Sequence, residues 1–392
     1  MAGNEPIYRR RLENVENLYA IFTEFNGGQY SPINELLYLI TYSLFKYSPF
    51  GFHLASLMLH AANALLVFVC IKRLLEISKR FETEHKHWVA FLSALIFAIH
   101  PMNVESVAWI SASKVLVYSF FYLLATLSFL TYLKNLKLQY YLLTLFLFAC
   151  SFGGKEQAIS FPLWMLLIYW LVGNSFKNKK LWFAVAPFLL LSVAFGVITF
   201  YANGGMGLLQ KVNYPLWQRI VYACYSFTEY LLKLAFPFKL SYIYPFPSVV
   251  GEPLPQWILL YPLLLTILLF IAWKQLVTNK LLIFCLMFFG VHIAFTLQVI
   301  SLSRYVVTAD RYVYMASIGT CLLIAYYAVR FIKEWKGYWK TGLSLAFAAY
   351  LLYFGVYTNI RSRVWHDSDS LKKEIRELLK ERNDYEKLRI KN

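Results

Sequence analysis

Long apolar runs alternate with short polar connections along most of the chain. A helix needs about 20 apolar residues to cross the hydrocarbon core of a bilayer. Runs near that length predict about ten spans, at 53–75, 88–100, 115–133, 140–154, 157–173, 181–202, 257–273, 280–298, 312–332 and 339–358. The pattern therefore predicts an all-α, polytopic integral membrane protein.

The polar ends of the chain define two further regions. Residues 1–52 are predicted to form an amphipathic, interfacial segment, and residues 53–358 the transmembrane domain. Residues 359–392 are dense in charge, and Leu371 and Ile375 recur there at helical spacing. This tail is therefore predicted to be a charged, amphipathic helix.

Composition excludes a water-soluble domain. Hydrophobic residues make up 59% of the chain and charged residues 15%, whereas soluble domains carry about a quarter charged residues. The net charge of +17 is spread in small clusters between apolar runs, a distribution that sets membrane topology rather than one that binds nucleic acid. The 5 cysteines stand singly in apolar segments, so neither a zinc site nor a disulfide framework is indicated.

The basic residues also predict an orientation. Connections that follow the odd-numbered predicted spans hold more Lys and Arg than the others, which places them in the cytoplasm. Both ends of the chain then lie outside, with the loops 100–114, 153–157, 203–256 and 299–311. An outer position of residues 1–52 implies a span upstream of this sequence; the alternative is that residues 1–52 stay inside and the topology inverts. Within the longest of these loops, Leu216–Pro237 is predicted to be a helix of mixed polarity along the interface.

Two clusters of ionisable residues lie at the outer ends of predicted spans, where charge is costly and often functional. His100 and Glu105 flank a turn that begins with proline. They either contact a substrate in an outward cavity or cap a helix. Lys155 and Glu156 follow two glycines, and irregular backbone at membrane depth survives only beside protein or a water-filled cavity. The alternative is a lysine that extends to the headgroups.

A third cluster contains Arg304, Asp310 and Arg311 among several tyrosines. Arginine binds phosphate through paired donors, and a lipid phosphate would lie at this depth. The alternative is an ion pair between Asp310 and an arginine that closes the loop.

Six short motifs follow one another along the chain and cover about residues 12–365. They are Gln29-Tyr-Ser-Pro32; Pro49-Phe-Gly-Phe-His53-Leu with Leu57-Met-Leu-His60-Ala-Ala-Asn63; His100-Pro-x-x-x-Glu105; Lys155-Glu156-Gln157; Tyr244-Pro-Phe-Pro247; and Ala309-Asp-Arg-Tyr-Val-Tyr314. The set resembles the transmembrane and tetratricopeptide-repeat O-mannosyltransferases and their bacterial relatives, which are glycosyltransferases of the GT-C class.

The resemblance implies a GT-C-like fold and an enzyme that transfers a mannose-type hexose from a polyprenyl-phosphate donor to a protein or glycan acceptor outside the cytoplasm. By position, Glu105 is the candidate catalytic base, since such chemistry requires one. The candidates for binding donor phosphate or substrate are Arg304, Arg311, Asp310, His100, Lys155 and Glu156. No cofactor is implied with certainty, and participation of a divalent metal is left open.

The sequence departs from the family pattern at both ends. Enzymes of this class place an acidic residue, typically Asp, after a first span, and this sequence begins beyond that point. The tetratricopeptide array is also absent. We therefore expect a shortened enzyme that, as it stands, transfers sugar poorly or not at all. Its composition, rich in Lys, Asn, Phe and Tyr, favours the inner membrane of a bacterium. The alternatives are an inactive relative that acts as a membrane binding or assembly protein, and a transporter. A transporter would show internal repeats and charges near the midplane.

Overall fold

The computed structural model describes residues 16–24, 30–81, 83–202, 214–248, 250–297, 299 and 306–380. The helices in these ranges are α1 (Glu16–Thr23), α2 (Pro32–Phe45), α3 (Pro49–Ile77), α4 (Lys86–Ile99), α5 (Val104–Ala108), α6 (Ser113–Asn135), α7 (Leu138–Phe152), α8 (Phe161–Leu171), α9 (Lys179–Ala202), α10 (Leu216–Ala235), α11 (Leu260–Thr278), α12 (Lys280–Ile293), α13 (Ser317–Glu334), α14 (Gly337–Val364) and α15 (Ser368–Lys380). Two short strands, β1 (Tyr244–Pro245) and β2 (Val306–Thr308), pair antiparallel. The prediction of an all-α protein is confirmed.

Four helices are long and apolar enough to cross a membrane: Pro49–Ile77, Ile110–Asn135, Lys179–Tyr201 and Gly337–Val364. A fifth span results if Lys86–Ile99 and Pro101–Ala108, bent by 52°, are counted together. Shorter apolar helices occupy several of the other predicted positions. Among the described residues the chain is thus a membrane protein with four or five spans by length and composition, and the number ten stays a prediction.

The chain divides into two compact units. The first comprises Met1–Ala90 and Ile110–Val212, and its helices α3 and α6 run parallel in constant register. Asn63 Nδ2 donates to the carbonyl oxygen of Leu116 at 3.0 Å, and Cys70 Sγ lies 3.6 Å from that of Leu123. Because both contacts join residues 53 positions apart, the C-terminal ends of the two helices also lie together.

The glycine pair of the first unit interrupts the helix, as predicted. Helix α7 ends at Phe152, and a 3-10 turn begins at Glu156. A Cβ at Gly154 would lie 2.6 Å from the backbone nitrogen of Tyr118. Only glycine therefore allows the backbone of this break to pack so closely on α6.

The second unit comprises Phe91–Trp109 and Asn213–Asn392. Helix α10 confirms the helix predicted for Leu216–Pro237, and it ends two residues before that proline. The helix buries one face, including Tyr222, Tyr230 and Leu234. In the pairing of β1 with β2, Tyr244 lies opposite Thr308. This short sheet holds the Tyr-Pro-Phe-Pro motif beside the segment that leads into Asp310.

Candidate functional site

The structure joins two of the predicted clusters, both within the second unit. Glu105 lies on α5 and is 2% exposed, and Arg311 lies in the 3-10 turn Asp310–Val313. The backbone nitrogen of Arg311 donates to Glu105 Oε2 at 2.8 Å, and its guanidinium donates to Oε1. Arg311 therefore pairs with Glu105, 206 residues away. The loop-closing alternative, a pair between Asp310 and an arginine, then concerns Arg304, which lies outside the described residues.

Aromatic rings surround the guanidinium of Arg311. Its central carbon lies 5.1 Å from the ring centroid of Trp109 and 4.9 Å from that of Tyr312. Trp109 stacks on Trp365 with centroids 6.0 Å apart, and Tyr242 contacts both indoles edge-on. The Arg311 side chain keeps 17% exposure. Cation–π contacts and the ion pair thus fix the orientation of an arginine that remains partly accessible.

Asp310 is buried beside this pair, with 2% exposure. Its Oδ1 accepts a hydrogen bond from the hydroxyl of Tyr244 at 2.9 Å, and the Tyr244 oxygen accepts one from the backbone nitrogen of Ser241. Burial raises the pKa of Asp310 to about 7, and the charge of Glu105 acts in the same direction. The nearby cations and the Tyr244 hydroxyl oppose the rise. Asp310 is therefore a carboxyl that titrates near neutral pH.

A lysine that the sequence argument placed only in a helix of mixed polarity belongs to the same network. Lys233 Nζ on α10 lies 3.9 Å from the ring centroid of Tyr244 and 3.6 Å from Glu229 Oε2. Burial lowers the pKa of Lys233, while the charges of Asp310 and Glu229 oppose that shift. The sequence could have indicated this lysine only through its contact with the motif tyrosine. That contact becomes apparent only once the buried face of α10 is known.

Arg361 is a second buried cation that the sequence argument missed. It lies on α14 with 4% exposure and donates to Glu374 Oε1 on α15 at 2.7 Å. Its charge also acts on Asp310. Because the two partners are on different helices, no local spacing in the sequence indicates the pair.

His100 serves the backbone on both sides of its ring. Its Nδ1 accepts from the backbone nitrogen of Met102 at 3.2 Å, so Nε2 carries the proton and donates to the carbonyl of Leu234 at 2.9 Å. The ring is 1% exposed. The helix-capping alternative thus describes its contacts, and a role in binding substrate stays a prediction.

The remaining candidates lie elsewhere in the chain. Lys155, 3% exposed, and the half-buried Glu156 belong to the first unit. Arg304 lies outside the described residues. No group of three or more His, Cys, Asp or Glu side chains that could hold a metal ion occurs in the described ranges. Binding roles for Lys155, Glu156 and Arg304 stay predictions.

Comparison with known proteins confirms the resemblance indicated by the motifs. The chain is 30% identical over 166 residues to the protein O-mannosyl-transferase TMTC1 of Mus musculus, which covers 39% of this chain and 16% of that protein. It is 31% identical over 188 residues to TMTC4 of Homo sapiens, covering 47% of this chain and 23% of that protein. A match to Tmtc1 of Drosophila melanogaster is 29% identical over 133 residues, covering 34% and 14%.

These matches span less than a quarter of the length of each relative. No family model matches the chain, and no solved structure matches it. The similarity is therefore to part of the TMTC protein O-mannosyl-transferases.

Proposed function

We propose that the chain transfers a mannose-type hexose from a polyprenyl-phosphate donor to a protein or glycan acceptor on the outer face of the membrane. The names of its relatives support sugar transfer to protein. The observation that carries the proposal is the Glu105–Arg311 pair. It brings two of the motifs that carry the resemblance, His100-Pro-x-x-x-Glu105 and Ala309-Asp-Arg-Tyr-Val-Tyr314, into one buried, charged site.

Arg311 would stabilise the leaving phosphate. As the bond from the sugar to the phosphate breaks, negative charge develops on the phosphate oxygens, and a preorganised donor lowers the free energy of that transition state. The bond to Glu105 uses one terminal nitrogen of Arg311, and guanidinium carries further donors. The aromatic contacts with Trp109 and Tyr312 hold those donors in place without neutralising them.

The acceptor hydroxyl must lose a proton to a base. Both oxygens of Glu105 accept hydrogen bonds from Arg311, and this supports a role for Glu105 in positioning the arginine. Asp310, with a pKa of about 7, is better suited to take a proton at neutral pH. We therefore assign proton transfer to Asp310 and include Glu105 in the test, since it is the carboxyl that the sequence favoured.

The test is transfer of labelled mannose from polyprenyl-phosphate mannose in membranes that contain the full chain. Arg311→Lys should reduce the rate about a hundredfold, as removal of one oxyanion donor does in other enzymes. Arg330→Lys is the matched control, because Arg330 is exposed and paired with Glu334 on α13. Asp310→Asn should abolish the rise of activity through neutral pH, while Glu105→Gln should lower the rate and, because the charge of Glu105 helps to raise the pKa of Asp310, shift that rise to lower pH.

Transfer by the Arg311→Lys chain at the rate of the control would contradict the role of the arginine. The complete absence of transfer by the unaltered chain would instead favour the second candidate, a membrane binding or assembly protein without catalytic activity. One observation supports that second candidate: Arg311 occupies both oxygens of Glu105.

A further inference from the structure

A cavity of about 410 Å³ lies in the first unit between α3 and α6, and none of its residues belongs to the candidate site. Its volume falls within the range of about 300–1,000 Å³ that is typical of small-molecule sites. The lining residues are Val69, Arg73, Ile77, Leu127, Leu130, Thr131, Lys134 and Asn135. The cavity is therefore built from the last two turns of two helices that can each cross a membrane.

The polarity of the lining changes along the helix axes. Val69 and Leu127 stand at the end nearest the middle of the helices, whereas Lys134 and Asn135 stand at the last turn of α6. The lining spans nine residues of each helix, from 69 to 77 and from 127 to 135, or about 12 Å at the rise of an α-helix. Val69 and Leu127 lie within the predicted spans 53–75 and 115–133, whereas Arg73 and Lys134 stand close to the ends of those spans. On α3 the lining also includes Ile77, beyond Arg73.

Charge in the groove is available for a ligand. Arg73 contacts Glu76 only at 4.0 Å, with side-chain exposures of 55% and 38%, and exposed pairs of this kind contribute little. Lys134 is exposed, and the described part of the chain records no ion pair for it. One phosphate between α3 and α6 could accept hydrogen bonds from both cations.

We propose that this groove binds one anionic phospholipid, with the phosphate between Arg73 and Lys134 and an acyl chain along Val69 and Leu127. Basic pockets between transmembrane helices bind anionic headgroups elsewhere. The apolar walls select a lipid over a soluble phosphate, because a soluble phosphate would leave them empty. The inference does not depend on the proposed sugar transfer, and it holds for either orientation of the chain.

The test is native mass spectrometry of the full chain released from nanodiscs that contain equal amounts of phosphatidylglycerol and phosphatidylcholine. One phosphatidylglycerol should remain bound in preference to phosphatidylcholine. The double variant Arg73→Gln with Lys134→Gln should lower its affinity about tenfold or more, given the usual contribution of a cation near an anionic headgroup. Lys333→Gln with Lys336→Gln removes the same charge from exposed positions outside the groove and should leave the retained lipid unchanged.

A second variant separates the groove from its charge. Leu127→Trp fills the apolar end from a half-buried position, keeps both cations, and should also displace the lipid. Equal loss in the control variant would show general attraction to basic surface and overturn the proposal. Displacement of the bound phosphatidylglycerol by added glycerol phosphate would show that the site binds a soluble phosphate, and this result would overturn the proposal as well.

Discussion

The first unit buries polar groups that are mostly neutral, and the second buries charges. In the first, the buried polar side chains of the described residues are hydroxyls, amides and His60, with Lys155 as the exception. In the second, Glu105, Lys233, Asp310 and Arg361 are all buried. Each unit must satisfy groups that a membrane protein cannot hydrate, but the two do so by different chemistry.

The loss of a buried polar side chain should have different energetic costs in the two units, because these side chains bond to different partners. In the first unit, Asn63 and Ser151 donate to helical carbonyls, so removal of the side chain leaves a carbonyl that still has its helical bond. In the second, Glu105, Lys233 and Arg361 are each paired with an opposite charge. Removal of one partner there leaves a buried ion without compensation. The second unit thus has its buried ion pairs at the proposed site, and its stability should be sensitive to the loss of any one of their members.

The largest expected effect tests that vulnerability directly. Glu105→Ala leaves the Arg311 guanidinium and backbone nitrogen without their acceptor, and it should lower the free energy of unfolding by about 3–5 kcal/mol. Thermal unfolding of the full chain in detergent measures this. Glu334→Ala removes an exposed i,i+4 partner of Arg330 and should leave the melting temperature almost unchanged.

The double variant Glu105→Ala with Arg311→Ala completes the comparison. Its cost should be smaller than the sum of the two single costs, because the uncompensated charge is gone. Strict additivity would show that the pair contributes no coupling and that burial of charge does not distinguish the second unit.

The next effect concerns pH. The pKa of Asp310 is about 7 in the folded chain and about 3.9 in an unfolded one. Between these values the folded state holds the proton and the unfolded state does not, so stability falls as pH rises from about 4 to about 7, by at most about 4 kcal/mol. Asp310→Asn keeps an acceptor for Tyr244 and should flatten this slope in thermal unfolding between pH 5 and pH 8.

Asp367→Asn serves as the control for that slope. Hydrogen bonding from the Ser370 backbone nitrogen holds the pKa of Asp367 at about 2, so its stabilising contribution is lost only as pH falls below the unfolded value. It should not alter the slope above pH 5. An unchanged slope in Asp310→Asn would show that another group governs the pH dependence of the second unit.

A steric prediction follows for the first unit. Gly154→Ala would place a Cβ 2.6 Å from the Tyr118 backbone nitrogen and 2.8 Å from its Cα. Backbone cannot move aside as a flexible side chain can, so the variant should lose about 1–3 kcal/mol of stability. In the second unit, Gly290→Ala meets no atom within 4 Å and should be neutral or stabilising by up to about 1 kcal/mol. Equal melting temperatures for the two variants would contradict the close approach of α6.

The sequence predicted the features that depend on local pattern. Apolar length indicated the all-α membrane fold, the Gly153-Gly154 pair indicated the end of α7, and mixed polarity indicated α10. Each of these follows from residues that belong to a single helix or to the turn that ends it. The clusters around Glu105 and Arg311 were also recognised, because charge beside an apolar run is conspicuous.

Pairings over long sequence separations were not predicted. Nothing in the pattern indicates that Arg311 selects Glu105 over its neighbour Asp310, since that choice depends on how α5 packs. Tyr244 meets Asp310 through the register of two very short strands, and such strands carry no readable periodicity. To predict that Lys233 contacts Tyr244, one would need to know both the rotation of α10 about its axis and the position of Tyr244. Local sequence fixes neither quantity.

The smallest effect is expected where a neutral side chain bonds to a helical carbonyl. Asn63→Leu keeps the approximate shape and removes the 3.0 Å bond to Leu116; because that carbonyl keeps its helical partner, the cost should be about 0.5–1.5 kcal/mol. Thermal unfolding under the conditions used for Glu105→Ala gives the comparison. A loss as large as that of Glu105→Ala would mean that the neutral contacts of α3 and α6 are as strongly coupled as the ion pair, and the two units would then differ in chemistry but not in vulnerability.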